Sequence, residues 1–355
     1  MVNKILTQEE IEKFPHSFYS HAEAILHLSE VGIDVKQTRV ADWLDVSRAN
    51  VSQVVGRMQN SGLVEFKEDL EPVILEYEAI LDNLVKRLFA EGEISSLYND
   101  LSFAKRLTRV QHETSKIFFS NFDIALPKRE VKEFTPISIG PKIFAFLRNE
   151  KLLDLVESLI GSEIFANPIQ HVRLKQPVHL NPQTEQKLPW LHQDNAFMMP
   201  EGDQTEMITL WIPLMDTDEQ NGCLQLIPRS HHEGLKQHCK TGVVLPENLI
   251  DRQRTVPVPV KQGSVLLMHR CMMHGPLPNR TDTLRWSFDL RYNPSDSPSG
   301  RDIQPGFIAR SKLHPASEVR NSEEWANLWL ETRRRLSNQS NPEYERWDSD
   351  EPGCA

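Results

Sequence analysis

Apolar positions fall at helical spacing through roughly the first 164 residues and at strand spacing beyond them. Thr7 can cap a helix over 7–13, with Glu10 three residues on to close a capping box. Short helical patterns follow at 21–28, broken at Gly32, at 38–44, and at 48–60, where Ser47 is the N-cap and Ser61-Gly62 the stop. Three short helices with a tight turn before the last predict a helix-turn-helix. Residues 70–101 carry one apolar stripe of Val73, Ile74, Tyr77, Ile80, Leu81, Leu84 and Leu88, as a helix packed on a core would. Helical character continues through 103–119 and 141–160, where Gly161 stops it.

Past that point the runs become short, alternating or apolar, and are punctuated by Pro, Gly and Asn. Strands are expected at 169–175, 191–197, 207–214, 223–227, 256–260, 264–269 and 283–292, a spacing that suits a jelly roll. An amphipathic helix over 323–336, with Trp325, Leu328 and Trp329, comes next. The polar, acidic stretch 341–355 reads as a disordered tail. The expected division is a helix-turn-helix unit over 1–68, a mainly β domain with flanking helices over 69–340, and the tail.

Composition narrows the partners. A net charge of −10 argues against a broad nucleic-acid or anionic-membrane surface. No apolar leader opens the chain and no run of 18 apolar residues occurs, so the expectation is a cytoplasmic protein with no membrane partner. Cys223, Cys239, Cys271 and Cys354 form neither a disulfide framework nor a Cys-x-x-Cys pair, and they are expected to be reduced.

The candidate chemistry begins at Pro-Trp-Leu-His-Gln-Asp, residues 189–194. On a strand, His192 and Asp194 leave the same face and can share one ligand. With a second imidazole they would form the facial triad that holds non-haem Fe(II) and leaves coordination positions open. Candidates for that imidazole are His231, His232, His238, His269 and His274. His274 is preferred because it ends an apolar run before Gly275-Pro276, and His269 is its rival. Residues 283–292 alternate cleanly, with Leu284, Trp286, Phe288 and Leu290 on one face and Arg285, Ser287, Asp289 and Arg291 on the other. If the polar face lines a cavity, Arg285 can clamp a carboxylate with Ser287 donating beside it.

The stretches LPWLHQDNAFMMPEGDQTEMITLWIPLMDTDEQNGCLQLIPRSH and VLLMHRCMMHGPLPNRTDTLRWSFDLRYNP resemble the phytanoyl-CoA dioxygenase family. These are Fe(II)- and 2-oxoglutarate-dependent oxygenases on a cupin-like double-stranded β-helix. The resemblance implies that His192, Asp194 and His274 bind iron and that Arg285 with Ser287 holds the distal carboxylate of 2-oxoglutarate. It also implies Lys175 and Thr209 as further cosubstrate contacts and Asn279 as a residue that shapes a turn. O2 would be the second cosubstrate, with succinate and CO2 released. Related halogenases replace the carboxylate ligand by a small residue, so Asp194 points to hydroxylation. Two departures stand out: Leu191 intervenes between Trp190 and His192, and the usual Pro-Gly-Ser-His reads Pro-Arg-Ser-His, so Arg229 must make the turn that Gly would permit. Phe197, Met199 and Trp211 are expected in the wall of a small-molecule substrate pocket.

The run LHLSEVGIDVKQTRVADWLDVSRANVSQVVGRMQNSGLVE resembles the winged-helix DNA-binding domain of diphtheria-toxin-repressor-type regulators. By that likeness Arg48, Asn50 and Gln53 would face DNA. Residues 20–68 nevertheless carry 5 Lys+Arg against 7 Asp+Glu, where phosphate binding wants an excess of positive charge. The leading expectation is an oxygenase that hydroxylates a small molecule. The alternative is a DNA-binding regulator whose oxygenase-like barrel senses a ligand or iron.

Overall fold

The computed structural model describes residues 66–127, 129–180, 190–339, 346–347 and 354. The expected helix-turn-helix, with Arg48, Asn50 and Gln53, lies outside the described residues. Five α-helices are described: α1 (Lys67–Ala90), α2 (Phe103–Thr114), α3 (Pro141–Leu147), α4 (Glu150–Ile160) and α5 (Ser322–Ser337). The stripe read at 70–101 is α1, and it ends at Ala90. The single helix read over 141–160 is two, because Asn149 caps a new start by accepting from Leu152 N at 3.2 Å.

Among the described residues nine strands form two antiparallel sheets. They are β1 (Glu163–Ala166), β2 (His171–Lys175), β3 (Ile208–Pro213), β4 (Leu224–Leu226), β5 (Val256–Val258), β6 (Leu266–His269), β7 (His274–Pro276), β8 (Arg285–Pro294) and β9 (Phe307–Ser311). The larger sheet runs β6-β3-β8-β1-β9, with β2 also paired to β8, and the smaller runs β5-β4-β7. Strand β8 is the axis, holding β3 along one edge and β2 then β1 along the other. Its register sets Lys175 opposite Arg285 and Trp211 opposite Asp289.

The alternation read in β8 divides the molecule into two layers. Trp286 and Phe288 turn toward the helices: Trp286 stacks on Phe103 of α2 at 4.1 Å, meets Tyr77 of α1 edge-on at 6.0 Å, and Phe288 stacks on Phe146 of α3 at 5.5 Å. Arg285, Ser287, Asp289 and Arg291 are buried on the opposite face, together with the space between the sheets. Trp211, Leu224, Leu226, Val258 and Met268 close that space as a second apolar cluster. No helix among the described residues is long and apolar enough to cross a membrane.

Three expectations need correction. Residues 191–197 do not form a strand; His192 makes an isolated bridge to His274, and Asp194–Phe197 is a turn of 3-10 helix. Cys239 and Cys354 are joined in a disulfide, 115 residues apart in sequence, a pairing that spacing could not reveal. The tail is anchored at three described points, since Arg346 and Trp347 also pack on the 195–203 segment.

Candidate functional site

The site is built where β7 meets the segment before Asp194. His192 N donates to His274 O at 2.8 Å and His274 N donates to His192 O at 2.9 Å, so the two residues are a directly opposed antiparallel pair with side chains on one face. Their rings lie 4.4 Å apart. Gly275 permits this approach, because a Cβ there would come within 2.1 Å of Trp190 O. Asp194 then enters from the 3-10 turn, with its Oδ1 3.4 Å from His192 Nε2 and 3.8 Å from His274 Nε2. One ligand atom from each of the three lies within 4.8 Å of the others, and all three side chains are buried.

Local bonds fix how each group is presented. His274 Nδ1 lies 3.0 Å from Met272 O, so Nδ1 donates and the lone pair of Nε2 points into the triad. Asp194 Oδ2 accepts from Thr209 Oγ1 at 2.5 Å, and Oδ1 accepts from Arg291 Nη2 at 2.6 Å. Burial alone would raise the Asp194 carboxyl, but Arg291 and the two imidazoles outweigh it and hold it well below the usual carboxylate range. Burial, reinforced by His274, brings His192 down to about 4, so it is neutral and able to act as a ligand. His192 Nδ1 is buried and has no hydrogen-bond partner among the described residues. Two imidazole nitrogens and one carboxylate, all desolvated, are the donor set that suits Fe(II).

Gln193, between two members of the triad, is bound on every side. Its N donates to His238 Nε2 at 3.0 Å, its Nε2 donates to Gly234 O and Cys271 O, and its Oε1 accepts from Lys236 N. Burial lowers His238 to about 4, leaving it a neutral acceptor. The other histidines weighed for the triad stand apart from it: His269 Nδ1 accepts from Cys271 N, and His231 packs against His232 and His269.

A cavity of about 510 Å³ opens beside the triad and is lined by His192, His274, Lys175 and Arg285. Arg285 donates twice to Gly222 O, at 3.2 and 3.0 Å, and through Nη1 to Ser287 Oγ at 2.8 Å, and it lies 5.4 Å over the Trp211 ring. It forms no salt bridge among the described residues. Burial lowers it to about 10, and burial together with Arg285 lowers Lys175 to about 8. Lys175 and Arg285 are register partners, and neither forms a salt bridge among the described residues, so two cations line this part of the cavity. Phe197 and Trp211 line the cavity and Met199 does not. Thr209 is turned to Asp194 instead of the cavity, and Ser287 meets Arg285 without lining it. Trp190 lies against His192 at 5.1 Å, so the intervening Leu191 does not displace it.

The profile described as Phytanoyl-CoA dioxygenase (PhyH) matches residues 76–287, more than half of the chain, and takes in the triad and Arg285. The chain belongs to this family. Phytanoyl-CoA dioxygenase family members are Fe(II)- and 2-oxoglutarate-dependent oxygenases, and the buried His-Asp-His set agrees with that chemistry. Residues 21–70 match a second profile, the Iron dependent repressor, N-terminal DNA binding domain. Among curated relatives, Phytanoyl-CoA dioxygenase 1 of Oryza sativa subsp. japonica is 33% identical over 104 residues, 28% of this chain and 36% of that protein. The 1-deoxypentalenic acid 11-beta-hydroxylase of Streptomyces arenae is 32% identical over 124 residues, 31% of this chain and 42% of that protein. The chain therefore spans less than half the length of these relatives. The non-heme monooxygenase ThoJ in its apo form superposes with a TM-score of 0.46 at 19% identity, over 65% of this chain and 85% of that one. The nogalamycin epimerase SnoN, solved with Fe3+, alpha ketoglutarate and nogalamycin RO, gives 0.36 at 22% identity, over 45% and 63%.

Arg291, Asp289, Gln193 and His238 are the site residues whose roles the sequence left unread. Arg291 and Asp289 had a signal, since both lie on the polar face of the strand that carries Arg285. His238 had none, being 45 residues from the backbone it supports.

Proposed function

We propose that the chain hydroxylates a small organic molecule, with His192, Asp194 and His274 as the iron ligands, Arg285 and Lys175 as the cosubstrate pocket and Ser287 steadying Arg285 from behind, on a double-stranded β-helix formed by the two sheets. The observation that carries this reading is the pairing of the buried triad with two facing cations in one cavity. Bound iron and its cosubstrates supply the oxidation, in which 2-oxoglutarate and O2 give succinate and CO2 and one oxygen atom enters a C–H bond. The protein's own contribution is placement. Arg285 offers its charge to the distal carboxylate, Trp211 and Phe197 exclude water, and Thr209 and Arg291 keep Asp194 ionised and aimed. An Asp at position 194 favours hydroxylation over halogenation, since a carboxylate fills the place a halide would need.

Anaerobic titration with Fe(II) and 2-oxoglutarate tests this. The wild type should develop the visible metal-to-ligand charge-transfer band, and Asp194→Ala and Arg285→Ala should lose or weaken it. A folded wild type with no band would end the oxygenase reading.

The match of residues 21–70 to a repressor DNA-binding domain favours a second reading, in which the same chain binds duplex DNA and the barrel senses a ligand or iron. Arg48, Asn50 and Gln53 would then face the duplex. Binding that weakens linearly in log affinity with log salt supports it, and no binding at low salt removes it.

A further inference from the structure

The cosubstrate pocket leaves one cation of the cavity wall unused. Arg173 of β2 lies on the same strand face as Lys175, lines the cavity, and keeps its side chain 43% exposed. Its Nε donates to Asp289 Oδ2 at 3.2 Å, and its two terminal nitrogens have no acceptor among the described residues. The neighbouring carboxylate, Asp123, is committed elsewhere: it accepts from His171 Nδ1 at 2.9 and 3.2 Å and from Val172 N at 3.1 Å. Asp289 Oδ2 also accepts from Arg291 Nη2 at 3.0 Å, the atom that donates to Asp194 Oδ1 at 2.6 Å. These shared atoms tie Arg173 Nε to within about 9 Å of Asp194 Oδ1. A guanidinium in a cavity wall, pinned at Nε and with its terminal nitrogens unpartnered among the described residues, is a preorganised fork for one carboxylate.

Resting on the oxygenase reading, we infer that Arg173 anchors a substrate carboxylate, so that the enzyme acts on monocarboxylic acids with an apolar body. The rest of the wall fits such a body, since Phe119, Pro136, Trp190 and Phe197 line the same cavity. The sign and size of the charge are also set. Asp123 and Asp289 line the wall beside Arg173 and would repel a dianion such as a phosphate monoester more than a monoanion. The two-residue spacing along β2 separates this anchor from Lys175, so substrate and cosubstrate each have a cation of their own. Arg173 is a specificity residue in this account: it sets which end of the substrate stays at the wall and therefore which carbon is brought to the metal.

The test uses the full chain and two readouts. Quenching of tryptophan fluorescence, which Trp190 and Trp211 make sensitive to the cavity, follows binding without iron. Perturbation of the charge-transfer band follows binding to the anaerobic Fe(II)–2-oxoglutarate form. The probes are decanoate and adamantanecarboxylate, with the alcohol, methyl ester and phosphate monoester of each skeleton. At least one acid should saturate with an affinity about tenfold or more above its alcohol, as a charge-assisted contact requires. Arg173→Gln should erase that advantage and leave the alcohol's affinity unchanged, while Arg173→Lys should keep part of it. The inference is overturned if neither acid saturates, if alcohol or phosphate binds as well as acid, or if Arg173→Gln keeps the preference. It is also overturned if Arg173→Gln removes the charge-transfer band, which would give Arg173 to the cosubstrate. A wild type lacking the band removes the oxygenase reading alone, because the fluorescence arm still reports on the anchor.

Discussion

Asp194 answers to four neighbours, and its chemistry depends on all of them. Thr209 holds one oxygen, Arg291 holds the other, and two imidazoles face the latter. Removing Thr209's hydroxyl leaves a buried carboxylate oxygen short of a donor and free to turn, so Thr209→Val should weaken Fe(II) binding roughly 10–100-fold, as loss of an outer-sphere partner does. Competition with a chromogenic chelator measures this, and an unchanged affinity would detach Thr209 from the metal centre. Lys175 makes a prediction in pH. Burial depresses it from 10.5 to about 8. If its charge holds 2-oxoglutarate, affinity should be flat below pH 8 and fall by up to about tenfold per unit above it. Lys175→Arg, which stays protonated, should remove that slope. The unliganded fold should move the other way: between pH 8 and 10.5 the unfolded chain binds the proton more tightly, so stability gains from this group as pH rises. Isothermal titrations across pH and urea unfolding of the apo protein read the two trends separately.

At the level of elements, the site depends on one close approach. The bridge between His192 and His274 needs the chain at Trp190 to pass directly over Gly275. Gly275→Ala would set a methyl against backbone, which cannot step aside as a side chain could. The variant should therefore lose the bridge and most Fe(II) binding, while the α1–α3 layer keeps its packing, as far-ultraviolet circular dichroism and chelator competition would show. That layer has its own test: Phe103→Ala removes a ring stacked on Trp286 and should cost about 3–5 kcal/mol in urea unfolding. Strand β8 was legible in sequence because its polar and apolar faces alternate without a break, and both faces are buried. The triad was legible because His-x-Asp and the His before Gly275-Pro276 are local signals. Strands β1, β7 and β9 were not, being three to five residues long and defined by the partners they pair with. The role of Gln193 and His238 was hidden for the same reason: hydrogen bonds between distant backbone segments leave no periodicity behind. Arg229 shows the reverse, since the missing glycine in Pro-Arg-Ser-His required a left-handed residue and Arg229 has φ of 63°.

Across the whole molecule, Arg346 and Trp347 return to the segment that follows Asp194. Arg346 donates to Asp203 and to Met198 O, Trp347 Nε1 donates to Ala196 O at 3.0 Å, and the Trp347 ring lies on His238 at 5.3 Å. The disulfide between Cys239 and Cys354 fastens the same strap. Native protein titrated with a thiol reagent after gentle unfolding should show two free cysteines, Cys223 and Cys271, rising to four on reduction. Four without reduction would mean that the strap is held by Arg346 and Trp347 alone. His238, which Trp347 covers, is the residue that supports the backbone between His192 and Asp194. The laboratory consequence concerns purification. A thiol carried through the preparation would open the Cys239–Cys354 bond and loosen the brace behind His238, so metal titrations belong in thiol-free buffer.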